Sequence, residues 1–173
     1  ATTFGDAVGD TVNVASLATD AAGTTVLNGG AVTTSGGQTY GDAVTLGAAT
    51  VLTSTNNGTI DFVSTVNGAQ TLSVNTGGLT IFRDDVGAAM GGALTSLTSD
   101  AGGTTQLHAG TVTTTGAQTY HDNVVLSADT TLTADALTFN GTVGGAFALI
   151  ANVANATTFG DAVGDTVNVA SLA

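Results

Sequence analysis

An 18-residue segment, ATTFGDAVGDTVNVASLA, occupies residues 1–18 and returns without a single change at residues 156–173. Identity over that length, at an offset of 155, marks a tandem array. The folds open to such a chain are those in which each copy buries its apolar face against the next. A half period lies inside the long one. DAAGTT at Asp20–Thr25 recurs as DAGGTT at Asp100–Thr105, and QTYGD at Gln38 recurs as QTYHD at Gln118. The halves run approximately over 1–78 and 79–155, and 156–173 begins the next unit.

A finer phrase recurs within each half, an aromatic followed four residues later by Val: Phe4/Val8, Tyr40/Val44, Phe62/Val66, Phe82/Val86, Tyr120/Val124, Phe139/Val143 and Phe159/Val163. Two longer gaps each hide a variant with Leu in the aromatic slot, Leu27-NGGA-Val32 and Leu107-HAGT-Val112. The period is then near 19–20 residues, which gives eight coils in the 155-residue unit. Short Thr/Val-rich stretches alternate apolar and polar residues as half-buried strands do, and GD, NGG, TSGG and NNG supply the corners. The fold class these features predict is all-β, a parallel β-solenoid with one coil per phrase. Stacking of successive coils predicts one internal ladder made of Phe4, Leu27, Tyr40, Phe62, Phe82, Leu107, Tyr120, Phe139 and Phe159.

Composition narrows the partners. The net charge is −12, Arg83 is the one Lys or Arg, and every acidic residue is Asp. Nucleic acid and anionic lipid are held mainly through Lys and Arg, so neither is an expected partner. There is no Cys, hence no disulfide, thiolate metal site or Cys nucleophile. No apolar run is long enough for a membrane-spanning helix, so no direct membrane insertion is expected of this segment. The chain begins without Met or a signal peptide, and is expected to be a piece of something longer.

The phrases TVTTTGAQTYHDNVVLSADTTLT, STVNGAQTLSVNTGG and TFGDAVG resemble the repeats of very large secreted bacterial adhesins of the filamentous-haemagglutinin type. The resemblance spans the chain and concerns a structural repeat, not a binding activity. It implies a right-handed parallel β-helix in a secreted or cell-surface fibrous protein. The GGxGxDxUx nonapeptide of calcium-binding toxin repeats is not present.

Chemistry is weighed against this background. Catalysis on a β-helix needs a carboxylate cluster with Lys or Arg to stabilise developing negative charge. Arg83, flanked by Asp84 and Asp85, is accounted for by a surface ion pair, and neither His lies in a nucleophile-elbow context, so no enzyme activity is expected. The corner carboxylates Asp6, Asp42, Asp84, Asp122 and Asp161 fall on every second phrase, a spacing that relieves like-charge repulsion between stacked coils. Calcium bridging at Asp6/Asp10 and Asp161/Asp165 is the rival account. His108 and His121 each follow a ladder residue, so both are expected at adjacent corner positions. With Asp122 they form a candidate transition-metal site, against the alternative of a chance surface pair. The Thr pairs at Thr24/Thr25, Thr33/Thr34, Thr104/Thr105 and Thr113–Thr115 raise ice binding. They recur once per half and not once per coil, so cross-strand Thr ladders are the better account.

The expected function is therefore that of a structural repeat in an extracellular fibre or giant cell-surface adhesin, without a cofactor. Its partners are other copies of the repeat, stacked end to end or bundled laterally. The alternative is a binding module that presents a polar solenoid face to glycan, mineral or divalent cation.

Overall fold

A computed structural model describes residues 1–164 and 171–172. These residues form β-strands and corners, with no helix among them. Every strand pairing is parallel, and the chain winds through eight stacked turns as a β-solenoid. Among the described residues no helix is long and apolar enough to cross a membrane.

Each turn has three faces. The first holds Thr2–Phe4, Thr24–Leu27, Ala43–Leu46 and Val66–Asn67, then Thr111–Thr113, Thr130–Ala134, Ala148–Val153 and Ser171–Leu172. Val86 joins its two four-stranded parts by bridging Val66 and Val112. The second is a seven-stranded sheet running from Ala31–Thr34 through Thr50–Ser54, Thr71–Asn75, Ser96–Ser99, Gln118–Tyr120 and Leu137–Phe139 to Thr157–Phe159. The third, also seven-stranded, runs from Leu17–Thr19 through Gln38–Tyr40, Ile60–Phe62, Leu79–Phe82, Thr104–Leu107 and Asn123–Leu126 to Val143–Gly144.

These segments are strands because their side chains alternate between core and solvent. Thr50–Ser54 and Thr130–Ala134 bury every second residue, the pattern expected where one face of a pleated strand is dry. Inward Val, Leu, Ile and aromatic residues fill the interior as one continuous core. Strands of two to six residues then leave little room for anything but a corner between faces.

Stacked residues lie 19 to 26 positions apart, as in Thr25↔Val44 at the short end and Val86↔Val112 at the long end. Two bulges explain the long spacings. Val8 and Val14 bridge Val32 and Thr34, so six positions of the first turn lie over two of the next. Val86 and Leu94 likewise bridge Val112 and Thr114. Each bulge opens on a glycine with positive φ, Gly9 at 74° and Gly87 at 69°, where a Cβ would stand 2.1 Å from the Thr33 carbonyl oxygen and 2.2 Å from that of Thr113. Only a residue without a side chain fits that close backbone crossing. The second bulge carries Met90, which is fully exposed.

The nine expected ladder residues point inward but do not form one ladder. Phe4 and Leu27 stack on the first face, and Tyr40, Phe62, Phe82 and Leu107 on the third. Tyr120, Phe139 and Phe159 stack on the second. Within the two aromatic stacks the rings lie nearly parallel, with centroids 5.0 to 5.3 Å apart. The reason is arithmetic. Leu27 to Tyr40 and Leu107 to Tyr120 are each 13 residues, enough for two faces and too few for a turn.

Candidate functional site

The polar groups sealed in the core form two copies of one arrangement, built from the half-period motifs. In the first copy Gln38 is buried on the third face, and its Nε2 donates to the Val32 carbonyl oxygen (3.2 Å) and to that of Thr53 (3.0 Å). The Tyr40 hydroxyl donates to Gln38 Oε1 at 2.9 Å. Past the corner, the Asp42 carboxylate turns inward, and its Oδ1 accepts from the hydroxyls of Thr25 (2.6 Å) and Thr19 (3.0 Å).

The second copy lies 80 residues on and one face earlier in the turn. Gln118 Nε2 donates to the carbonyl oxygens of Val112 (3.1 Å) and Thr133 (3.0 Å), and the Tyr120 hydroxyl donates to Gln118 Oε1 at 3.1 Å. Asp122 accepts from Thr105, at 3.1 Å on Oδ1 and 2.9 Å on Oδ2, and from Ser99. Every sequence separation is the same in the two copies: 6, 15 and 2 residues around the glutamine, 17 and 23 around the aspartate. The motifs DAxGTT and QTYxD are thus two halves of one contact, because the second Thr of the first supplies the hydroxyl for the Asp of the second.

The electrostatics follow from burial. Both phenols are held well above the ordinary tyrosine value by desolvation. The Asp122 carboxyl is raised above its ordinary value, mainly by burial and slightly by Asp100, while the Ser99 and Thr105 hydroxyls pull it back. Asp42 differs in one respect: its Oδ2 is buried without a hydrogen-bond partner. Among the described residues no cavity opens onto either carboxylate. A glutamine tied to two carbonyls and a carboxylate tied to two hydroxyls do structural work, since each locks one turn to its neighbours.

Several sequence expectations change in the structure. Asp42 and Asp122 are not surface charges at corners but buried acceptors. Asp6, Asp84 and Asp161 are corner residues that each accept a hydrogen bond from the next backbone N–H at 2.8 Å. They occupy different corners of the prism, and only Asp42/Asp84 and Asp122/Asp161 share one, two turns apart. Asp10 likewise accepts from the Thr11 N–H, and Asp165 of the Asp161/Asp165 calcium pairing lies outside the described residues.

His108 and His121 are not neighbours. His108 follows Leu107 at the corner between third and first faces, and His121 follows Tyr120 at the corner between second and third. His121 Nδ1 meets the Asn140 amide at 2.6 Å, whereas Asp122 turns into the core, so the proposed metal site is not assembled. Among the described residues no three His or Asp side chains come together as metal ligands. Arg83 pairs with Asp61 one turn away, its Nε 2.8 Å from Oδ1 and its Nη2 2.9 Å from Oδ2, and not with the flanking Asp84 or Asp85.

The outer surface sorts its charge. Among the described residues Asp61 is the one acidic residue on a strand, and the others lie in corners or bulges. On the second face Thr98, Thr119, Thr138 and Thr158 stand in register on four consecutive turns. The Thr pairs Thr111/Thr131 and Thr113/Thr133 do the same on the first face. The second-face column is built from single threonines other than the pairs read from the sequence; of those pairs, Thr33 stacks on Thr53 and Thr113 on Thr133, as cross-strand ladders do. Comparison of the chain with protein-family models, with curated proteins and with solved structures finds no match.

Proposed function

We propose that the chain is a structural repeat of an extracellular fibre or giant cell-surface adhesin, and that its work is to span distance as a stiff filament. One observation carries this reading: the duplicated segment takes part in the stack at both of its positions. Thr2–Phe4 pairs with the turn that follows it, and Thr157–Phe159 pairs with the turn that precedes it. One sequence thus accepts a following turn at its first position and a preceding turn at its second, which suits an interior place in a longer stack, and axial hydrogen bonding running through every turn gives stiffness. Resemblance to adhesins of the filamentous-haemagglutinin type supports a secreted or surface location in bacteria. Partners in this reading are other copies of the repeat.

A chain of several repeats should appear in electron micrographs as a straight rod that lengthens by about 35 Å per 155 residues, because that unit spans seven turns and one face with turns about 4.8 Å apart. Antibody raised against the exposed bulge at 87–93 should label intact cells. A flexible string of separate globules, or labelling only after lysis, overturns the proposal.

A second reading rests on the uncharged threonine column of the second face. Its four hydroxyl-bearing side chains on consecutive turns suit a repetitive polar ligand, a glycan strand or a mineral surface, better than a divalent cation. Binding of the purified chain to insoluble polysaccharide, lost on replacing Thr119 and Thr138 by Asp, would support it. Equal retention of both proteins would discard it.

A further inference from the structure

The duplicated segment keeps its local structure and changes its face. Phe4 lies on the first face and Phe159 on the second. Val8 bridges Val32 on the second, whereas Val163 bridges Val143 on the third. Leu17 belongs to the third and Leu172 to the first. Each of three separated positions thus moves on by one face. The local conformation is nevertheless shared: Gly9 and Gly164 have φ of 74° and 75°, and Asp6 and Asp161 both cap the next N–H at 2.8 Å. The 155 residues therefore cover seven turns and one further face, and the half period of 80 covers three turns and two faces.

The strand Thr157–Phe159 has a partner on one side only among the described residues, and Phe159 is half-buried there. An unpaired parallel edge with an inward aromatic is a template for one more strand. The strand that fits is known from the first turn. Thr24–Leu27 pairs with Thr2–Phe4, the same sequence as Thr157–Phe159, and sets Leu27 on Phe4.

We infer that in a tandem array the Thr157–Phe159 strand receives the Thr24–Leu27 strand of a second copy of this repeat, and that the copy is turned by one face relative to the first. This rests on the fibre reading and adds its geometry. Three repeats then complete 22 turns, about 106 Å at 4.8 Å per turn, before any residue returns to the same face. The exposed bulge at Met90 leaves the rod from each of the three faces in succession. Such a filament has no preferred side, and whatever its bulges contact is met from all directions.

The chain has no Cys, so introduced pairs report register cleanly. The chain is extended by a second copy of residues 19–173, and Thr158→Cys is combined with Val26→Cys of that second copy. Thr3→Cys with Val26→Cys in the first copy is the control, because Thr3 and Val26 pair in this structure. Neighbouring strands stand about 4.8 Å apart, inside the span that a disulfide bridges. Both pairs should oxidise at similar rates. A control that closes while the junction pair stays open overturns the rotation and leaves the fibre intact. Failure of both pairs, with a flexible particle in place of a rod, overturns the fibre reading itself. Helical reconstruction of a longer array gives an independent measure: the Met90 bulge should emerge from a different face in each successive repeat. Emergence from one face throughout refutes the inference.

Discussion

Removing the core glutamine of one buried polar set should cost far more than its size implies, and the cost should be shared with tyrosine. Gln118→Leu keeps the volume but takes two donors from the carbonyl oxygens of Val112 and Thr133, and the acceptor from the Tyr120 hydroxyl. The Thr133 carbonyl also accepts from the Thr114 N–H, so it is not orphaned; the phenol, fully buried, is. Three net hydrogen bonds at about 1 kcal/mol each, with an unpaired hydroxyl at about 1 to 2, give a loss of about 4 to 5 kcal/mol. Tyr120→Phe alone should cost about 1.5 kcal/mol, because it leaves Gln118 Oε1 bare. In the Gln118→Leu background the same change should instead recover about 1 kcal/mol by deleting the stranded hydroxyl. The coupling is then about 2.5 kcal/mol, read from urea unfolding of the four proteins. Gln38→Leu with Tyr40→Phe should return the same pattern, since the two carbonyl contacts and the Tyr–Gln contact recur at the same separations. A coupling below about 0.5 kcal/mol at either place would show that the residues do not act as a unit.

Three other outcomes follow from the same geometry. Phe62, sandwiched between Tyr40 and Phe82 at 5.2 and 5.0 Å, should tolerate Leu at modest cost; Phe62→Asp should unfold the stack, seen as loss of the cooperative thermal transition. Gly87→Ala, which sets a methyl against the Thr113 carbonyl, should destabilise by more than about 1 kcal/mol beyond Gly91→Ala. Gly91 has a similar φ of 72° but open space around it, so equal losses would refute the close-crossing argument. Because burial raises the Asp122 carboxyl above its ordinary 3.8, the folded chain holds that proton more tightly than the unfolded one. The stability this group carries is gained as pH falls from the raised value toward the ordinary one, and lost as pH rises through that window. Measured against Asp122→Asn by urea unfolding between about pH 4 and 7, wild type should lose ground as pH rises; the opposite trend would refute the sign.

The parallel solenoid was legible because its causes are local. Period-two alternation sorts residues into core and solvent, and Gly/Asp corners cut the strands short. Which face a residue joins is not local, since it depends on the count of residues around the turn. Bulges such as Gly9–Asn13 change that count without disturbing the phrase that surrounds them. The nine-residue ladder accordingly contained the right inward residues in the wrong columns. Asp42 and Asp122 were visible as corner residues, but their burial depends on Thr25 and Thr105 across the turn. The clue lay in the shared 80-residue offset of DAxGTT and QTYxD, two motifs that travel together because they touch. Ser99 and Thr19 left no comparable trace, for a lone hydroxyl at a strand end has many possible employments.

The axial direction of the hydrogen bonds has a mechanical consequence. Strands lie across the long axis, so a load along the chain does not shear a whole sheet at once; it peels the terminal turn, opening its bonds one after another. A turn of about 21 residues occupies about 4.8 Å while wound and about 70 Å when drawn straight. Each release therefore yields more than tenfold extension and shields the turns behind it. Under tension such a solenoid behaves as a spool, stiff below a threshold and paying out length above it, and rewinding needs only the neighbouring turn as a template.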